Sequence, residues 1–174
     1  AQSGLSKAEI LAGLHDLVMT EEMLLACFDG KQDYGYLTED SSGEKTAEVL
    51  TNTLFDCKIA AYLINPLKND YEIVDIANEY LGITLQEWSE IFGKADVTTA
   101  YQDKRTECVR YYAQEVYALY QAAPALQEAL EQNGMDKLFR ELEMPLSYVL
   151  YDMEKEGILV KKEELRLYGE ALTG

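Results

Sequence analysis

The stretch FDCKIAAYLINPLKNDYEIVDIANEYLG, residues 55–82, is apolar enough to be core and has the order of two consecutive helices. An Asp that opens an apolar helix is most often its N-cap, so Asp56 is predicted to cap the first helix. Asn65-Pro66 ends that helix, because a residue before proline avoids the α conformation. The second helix is predicted over Tyr71 to Leu81, with Gly82 as its C-terminal cap.

A second stretch, ELEMPLSYVLYDMEKEGILV at residues 141–160, predicts a longer helix near the C-terminus. We expect this helix over about Met135 to Glu156, with Gly157 at its end. Pro145 lies inside it and removes one backbone hydrogen bond, so a bend or a change of domain is predicted near that point. The run Ile158-Leu159-Val160 is expected to link this helix to a final one.

Caps, turns and periodicity predict the remaining elements. Ser6 and Glu9 have capping-box spacing, which predicts a helix over about residues 6–14. Two β-favouring runs, MLLACF and DYGYL, surround Asp29-Gly30 and predict a hairpin, and the polar run TEDSSGEKTAE predicts a loop. Later helices are expected from Thr84 to Phe92, from Asp103 to Gln121, and from Pro124 to a stop at Asn133-Gly134.

Charge and cysteine content exclude several classes of protein. The 174 residues carry 32 acidic and 15 basic side chains, which gives a formal net charge of −17. Nucleic-acid affinity comes largely from clustered Lys and Arg, so little direct DNA or RNA binding is expected. Three widely spaced cysteines and one histidine offer little material for a metal site and predict reduced, buried thiols. Without a long apolar run or a signal pattern, a soluble cytoplasmic chain with no membrane contact is expected.

The two quoted stretches resemble, in the same order, segments of the family A DNA polymerases, the bacterial DNA polymerase I group. FDCKIAAYLINP with DIANEYLG is similar to the second half of the 3′–5′ exonuclease domain of that family. ELEMPLSYVLYDMEKEGILV is similar to the junction where that domain ends and the helix leading into the polymerase thumb begins. The resemblance covers about residues 54–172.

The resemblance implies a mostly helical α+β fold. This would be a partial, degenerate ribonuclease-H-like 3′–5′ exonuclease fold with a small β-sheet, followed by a long helix leading to the thumb. Residues 1–134 would form the exonuclease-like domain, and residues 135–174 the junction and the start of the thumb helices. The palm and fingers, with the Mg²⁺-binding carboxylates of the parent polymerase, would lie beyond Gly174.

Active exonucleases of this family need several carboxylates that hold two metal ions about 4 Å apart. These carboxylates come as Asp-x-Glu on the first strand, an Asp on a helix, and an Asp four residues after a Tyr. No Asp-x-Glu precedes Phe55, and the later matches, Asp70-Tyr71-Glu72 and Asp152-Met153-Glu154, lie in predicted helical or junction segments. For the helix Asp, only Glu39 or Asp40 stands at a suitable distance upstream.

The segment from Tyr111 to Glu115 resembles the Tyr-x-x-x-Asp motif, with a Glu where the family has an Asp. The extra methylene moves the carboxylate by about 1 Å or more, which spoils a metal site whose distances vary by about 0.2 Å. We therefore expect no catalytic residue, metal ligand or cofactor in this chain, with Tyr111 and Glu115 as the weak candidates. Tyr117 and Tyr120, like Tyr111, are predicted to pack between helices instead of stacking on bases.

The sequence supports three hypotheses for function. The leading one is a fragment of a bacterial DNA polymerase I whose exonuclease-like domain is inactive and supports the polymerase domain structurally. Its partners would be the palm and thumb of the same polymerase, and DNA would be bound through the parent enzyme. The alternatives are an active metal-dependent 3′–5′ exonuclease with a rearranged carboxylate set, and an acidic module for protein interaction or DNA mimicry.

Overall fold

A computed structural model describes residues 4–18, 24–37, 53–68 and 70–173. Its helices are α1 (Lys7–Val18), α2 (Tyr34–Leu37), α3 (Cys57–Ile64), α4 (Ile73–Leu81), α5 (Trp88–Phe92), α6 (Val97–Asp103), α7 (Arg105–Gln132), α8 (Asp136–Leu138), α9 (Met144–Glu156) and α10 (Lys162–Thr173). A 3-10 turn at Gly30–Gln32 precedes α2, and a π turn at Phe139–Glu143 precedes α9. Two short strands, β1 (Leu25–Cys27) and β2 (Leu54–Asp56), form a parallel pair. The described chain is thus mostly helical with a small sheet, as predicted.

The hairpin predicted around Asp29-Gly30 is wrong. Strand β1 runs parallel to β2, with Cys27 opposite Asp56, and the DYGYL run forms α2 instead of a second strand. Asp29 adopts a left-handed conformation at φ 57°, and the 3-10 turn begins immediately after it. The cause is tertiary, because the backbone N–H groups of Asp29 and Gly30 donate to the distant Asp56 carboxylate. The loop predicted over TEDSSGEKTAE lies outside the described residues.

Residues 55–82 contain the two predicted helices, α3 and α4. The strand β2, which comes directly before α3, is not predicted, because its residues belong to a helical pattern in the sequence. Leu54–Asp56 is buried as β2, and α3 begins directly afterwards with Asp56 as its N-cap, as predicted. Helix α4 begins after Glu72, whose side chain forms a capping box with Asp75. It ends at Gly82, which has the left-handed φ of 65° that glycine adopts without strain.

The N-terminal capping box is confirmed, and a later one is displaced. The backbone N–H of Ser6 donates to Glu9 at 2.7 Å, and α1 extends beyond the predicted residue 14 to Val18. Helix α5 is capped by Glu87 paired with Glu90, so the prediction of a helix start at Thr84 is wrong by about one turn.

The helix break predicted before Pro124 is also wrong, because α7 continues through this residue to Gln132. A proline inside a helix removes one hydrogen bond and crowds the preceding turn. Here the neighbouring side chains Ala122, Ala123 and Leu126 are buried, and their packing offsets that loss. The predicted stop at Asn133-Gly134 is confirmed by the C-cap at Asn133.

The helix predicted over 135–156 is divided before Pro145. The π turn at Phe139–Glu143 widens the helix, and Pro145 then lies in the first turn of α9. Proline is tolerated there because first-turn N–H groups have no partner within the helix. The predicted irregularity is therefore present, but it takes the form of a π turn. The predicted end at Gly157 is confirmed.

One hydrophobic core joins the sheet to the C-terminal part of the chain. The Phe55 and Phe139 rings have centroids 5.0 Å apart, and Tyr34 lies 5.6 Å from Tyr148 in α9. Phe55 is fully buried, which contributes about 1.5–3 kcal/mol of transfer free energy. Helix α9 therefore packs on the same core as β2, whereas residues 157–172 are exposed.

Two further predictions concern the burial of the cysteines and contact with a membrane. All three cysteines are free thiols; Cys57 and Cys108 are buried as predicted, whereas Cys27 is only half-buried. Across the described ranges, none of the helices is both long enough and apolar enough to cross a membrane.

Candidate functional site

The structure brings the two candidate residues, Tyr111 and Glu115, together on one side of α7. They lie one helical turn apart, and a side-chain hydrogen bond joins them. The Tyr111 ring also packs edge-on against Trp88, with 5.3 Å between ring centroids. Trp88 is fixed in turn by donating its indole N–H to the Ala95 carbonyl at 2.9 Å. Tyr111 is therefore part of a small aromatic core, as predicted.

The electrostatics of this pair follow from its partial burial. Burial raises the pKa of Glu115, while the hydrogen bond with Tyr111 lowers it and the nearby Glu72 carboxylate raises it. Burial also raises the pKa of Tyr111, and its hydrogen bond with Glu115 acts in the same direction. The stable arrangement is thus a neutral phenol that donates to the Glu115 carboxylate. A metal ion at Glu115 would have to compete with this bond.

Glu72 is a neighbour of Glu115 that the sequence does not reveal. It approaches because α4, which Glu72 caps, packs along α7. Its side chain already takes part in the capping box at the start of α4. Within residues 4–18, 24–37, 53–68 and 70–173, no group of three or more His, Cys, Asp or Glu side chains could hold a metal ion. The donors near Glu115 therefore do not fit a two-metal centre, which needs several converging carboxylates.

The other carboxylates considered from the sequence form ion pairs away from Glu115 or lie outside the described residues. Asp70 is 3.3 Å from the Lys58 ammonium, and Glu154 accepts a hydrogen bond of 2.6 Å from Lys31. These ion pairs place both Asp-x-Glu matches at the surface. Glu39 and Asp40 lie outside the described residues.

The prediction that Tyr117 and Tyr120 pack between helices is wrong. Their side chains are 58% and 70% exposed, whereas Ala118 and Leu119 between them are buried. Each residue advances about 100° around the helix, so a run of apolar residues cannot all face the core. A helical projection of α7 from the sequence would have separated these two tyrosines from Tyr111.

Asp56 forms the most developed polar site in the described chain. Its carboxylate, in a side chain only 2% exposed, accepts four backbone N–H bonds. The Oδ1 atom accepts from Lys58 and Ile59 and so caps α3, and it also accepts from Asp29 at 3.3 Å. The Oδ2 atom accepts from Gly30 at 2.7 Å. Asp56 therefore caps a helix and also ties the 3-10 turn to β2.

The electrostatic balance at Asp56 explains its structural character. Burial raises the pKa of this carboxyl group, and the four N–H donors counteract the increase. All the donors belong to the backbone, so they hold the carboxylate in place and leave it few free lone pairs. We infer that Asp56 stabilises the fold.

A cleft of about 390 Å³ opens beside Asp56, between α3 and α9. Its apolar lining comes from Ile59, Tyr62, Leu146 and Leu150. Charged side chains stand at its edge, namely Asp29, Lys31, Lys58, Asp70 and Glu143. Tyr111 and Glu115 are not among its lining residues, so the cleft and the predicted candidates are separate features.

Comparison with curated proteins identifies the relatives of this chain. DNA polymerase I of Streptococcus pneumoniae is 36% identical over 111 residues, which is 64% of this chain. DNA polymerase I of Bacillus subtilis is 31% identical over 119 residues, 68% of the chain, and that of Treponema pallidum 27% identical over 155 residues, 88% of the chain. The chain is related to a segment of bacterial DNA polymerase I. The resemblance noted from the sequence is therefore confirmed.

The relation to DNA polymerase I concerns only a small part of those proteins. The chain spans 12%, 13% and 15% of the length of the Streptococcus, Bacillus and Treponema DNA polymerase I, respectively. No protein-family model matches the chain. The activity named for DNA polymerase I therefore belongs to those much longer proteins.

Proposed function

We propose that this chain is the exonuclease-like part of a bacterial family A DNA polymerase, and that it supports the polymerase domain structurally without proofreading. The relation to DNA polymerase I supports the parentage. The loss of chemistry rests on one observation at the candidate site. Among the described residues, Glu115 is bonded to Tyr111 and has the Glu72 carboxylate near it, but the pair belongs to no larger acidic group.

Phosphodiester hydrolysis by two metal ions needs more carboxylate ligands than the pair of Glu115 and Glu72 provides. The ions must be held about 4 Å apart, so that one activates water and the other stabilises the leaving oxygen. Two carboxylates, one of them half-buried and bonded to a phenol, provide too few oxygen ligands for two hard cations. Under this proposal Mg²⁺ serves the polymerase domain of the parent and has no site in these residues.

The packing supports a structural role for the chain. Phe139 and Tyr148 anchor the π turn and α9 in the core formed around β2. We propose that residues 1–134 are a degenerate ribonuclease-H-like domain, and that residues 135–174 are the junction and the start of the thumb. The anchored α9 would then hold the polymerase domain of the same chain in a fixed orientation relative to the exonuclease-like core. Both parts would be cytoplasmic. DNA would be bound through the parent enzyme.

The second candidate function is an active 3′–5′ exonuclease with a rearranged carboxylate set. The proximity of Glu72 to Glu115 favours it, because the Glu72 carboxylate is near enough to raise the pKa of Glu115. Under this alternative the missing ligands would be supplied by carboxylates such as Glu39 or Asp40, which lie outside the described residues.

A Mn²⁺ titration followed by electron paramagnetic resonance distinguishes the two candidates. We expect the chain and its Glu115→Ala variant to bind Mn²⁺ equally and weakly, as any acidic surface does. Glu107→Ala, which removes an exposed acid from the same helix, is the matched control. Tight binding of two ions that Glu115→Ala abolishes and Glu107→Ala preserves would overturn the structural proposal.

A further inference from the structure

Helix α9 presents a row of apolar side chains to solvent. Leu146, Val149, Leu150 and Met153 are 41%, 51%, 42% and 63% exposed. Their spacing of three, one and three residues places all four on one face of the helix, which we call the α9 stripe. Single exposed apolar residues are normal, but a continuous row along a helix is typical of a surface that packs against another helix.

The α9 stripe continues into the cleft between α3 and α9. Leu146 and Leu150 line both features, and Ile59 and Tyr62 of α3 extend the apolar surface on the far side of the cleft. The combined surface is therefore a ridge beside a groove of about 390 Å³. Such a shape accepts the side chains of one helix between two others, as in ridges-into-grooves packing.

Acidic side chains border the α9 stripe on both sides. At about 100° per residue, Glu143 and Glu154 fall on the side of the cleft, and Asp152 and Glu156 fall on the opposite side. Glu154 is paired with Lys31, whereas the other three acids make no ion pair with the described residues. The stripe is thus an apolar seam with acids that make no such ion pair on both sides: Asp152 and Glu156 away from the cleft, and Glu143 beside it, where Lys31 and Lys58 also stand.

This charge pattern determines which occupant fits. Flanking charges set partner choice between helices, since like charges across the seam repel and opposite charges attract. A second copy of the chain would place acid against acid. The apolar side of α10 does not occupy the stripe, because residues 162–172 and the four stripe residues are all exposed.

We propose that the α9 stripe and the adjoining cleft form a docking surface for an amphipathic helix whose apolar face is bordered by Lys or Arg. This inference rests on the proposed function in one respect: it takes the helix to be a segment of the polymerase to which the chain belongs. The partner's apolar residues fill the cleft, and its cations neutralise Glu143, Asp152 and Glu156. The surface explains how the exonuclease-like core holds the remainder of the enzyme.

Synthetic peptides test the docking surface with the full chain. A fluorescent 18-residue helix with a leucine stripe flanked by lysines should bind saturably, with one peptide per chain, in an anisotropy titration. A peptide of the same composition, scrambled so that no stripe forms, should bind about tenfold more weakly or worse. Leu150→Asp should lower the affinity about tenfold, because it buries a charge in the apolar seam. Val116→Asp, on an exposed position of α7, is the matched control and should leave the affinity unchanged.

Leu150→Asp makes the surface more acidic. A lysine-rich peptide held only by general electrostatic attraction would therefore bind this variant at least as tightly as the unmodified chain, whereas a peptide docked on the α9 stripe would bind it more weakly. An affinity equal to or above that of the unmodified chain would overturn the proposal, and so would equal binding of the scrambled peptide. A dimer of the free chain in sedimentation, abolished by Leu150→Asp, would show a second copy on the stripe and would also overturn it. Tighter peptide binding by Leu165→Asp would show that α10 covers the stripe, with the same consequence. Mn²⁺-dependent nuclease activity would overturn the proposed function and leave peptide docking intact.

Discussion

Removing the Asp56 carboxylate should destabilise the protein far more than removing an ordinary helix cap. Asp56→Ala deletes the N-cap of α3, at a cost of about 1 kcal/mol, and leaves the N–H of Gly30 buried without its acceptor. A buried unsatisfied donor costs about 1–3 kcal/mol. The Asp29 N–H also loses its acceptor, whereas the burial cost of the carboxylate is relieved, so we expect a total loss of about 2–4 kcal/mol.

Asp56→Asn separates the cap from the tie between the 3-10 turn and β2. An amide oxygen in the Oδ1 position still caps α3, but the amide nitrogen then faces the Gly30 N–H, where Oδ2 accepted at 2.7 Å. Two donors cannot bond, so we expect a loss of about 1–3 kcal/mol without loss of the cap. Hydrogen exchange should then quicken at the Gly30 amide while the Lys58 and Ile59 amides stay protected.

Urea unfolding followed by circular dichroism measures these changes in the free energy of unfolding. The matched control is Asp96→Ala, which removes an exposed N-cap whose carboxylate accepts from Thr99 at 3.0 Å. Asp56→Ala should shift the urea midpoint well beyond the shift of Asp96→Ala. Equal shifts for the two variants would refute the reasoning, because the tie to Gly30 would then contribute nothing.

Other perturbations test the core and the candidate site. Gly30→Ala should destabilise the fold by about 1–3 kcal/mol, because the new Cβ would lie 2.7 Å from the Cys27 sulfur. Adding Cys27→Ala to this variant removes the sulfur and should restore most of the lost stability in urea unfolding. Phe139→Ala should cost about 3–5 kcal/mol and Tyr120→Ala about 0.5 kcal/mol or less, since Phe139 is 1% and Tyr120 70% exposed; similar thermal midpoints for the two would contradict the common core. The pKa of Glu115 is raised above its ordinary value of 4.5, so its contribution to stability is lost as pH rises through the folded pKa. Glu115→Gln should therefore gain stability relative to the unmodified chain at pH 7 and show no gain near pH 4; a gain that does not change with pH would argue against this cause.

The parts of the fold that the sequence predicts are those set by local contacts. Ser6 and Glu9 interact over three residues, Asp56 caps the helix that follows it, and Gly82 and Gly157 end helices where a left-handed or unusual conformation is needed. Each of these depends on a few neighbouring residues, so a short pattern is sufficient. The predominance of helix follows from the same local signals, whereas the α+β class is expected from the family resemblance.

The features that the sequence does not predict depend on distant contacts. Strand β1 pairs with β2 across 29 residues of sequence, and the Asp56 carboxylate fixes Asp29 in a conformation that no hairpin signal would indicate. At the candidate site, Glu115 and Tyr111 share a helix face and are predictable as a pair. Glu72 is not predictable, because it reaches Glu115 only through the packing of α4 on α7.

Digestion of a 5′-labelled single-stranded DNA oligonucleotide tests most directly whether the chain has lost exonuclease chemistry. The purified chain, Glu115→Ala and Glu107→Ala would each be incubated with the oligonucleotide in Mg²⁺ or Mn²⁺, and the products resolved by length. Our central expectation is no metal-dependent shortening by any of the three proteins. A ladder of shortened products from the unmodified chain and Glu107→Ala, absent with Glu115→Ala, would contradict it.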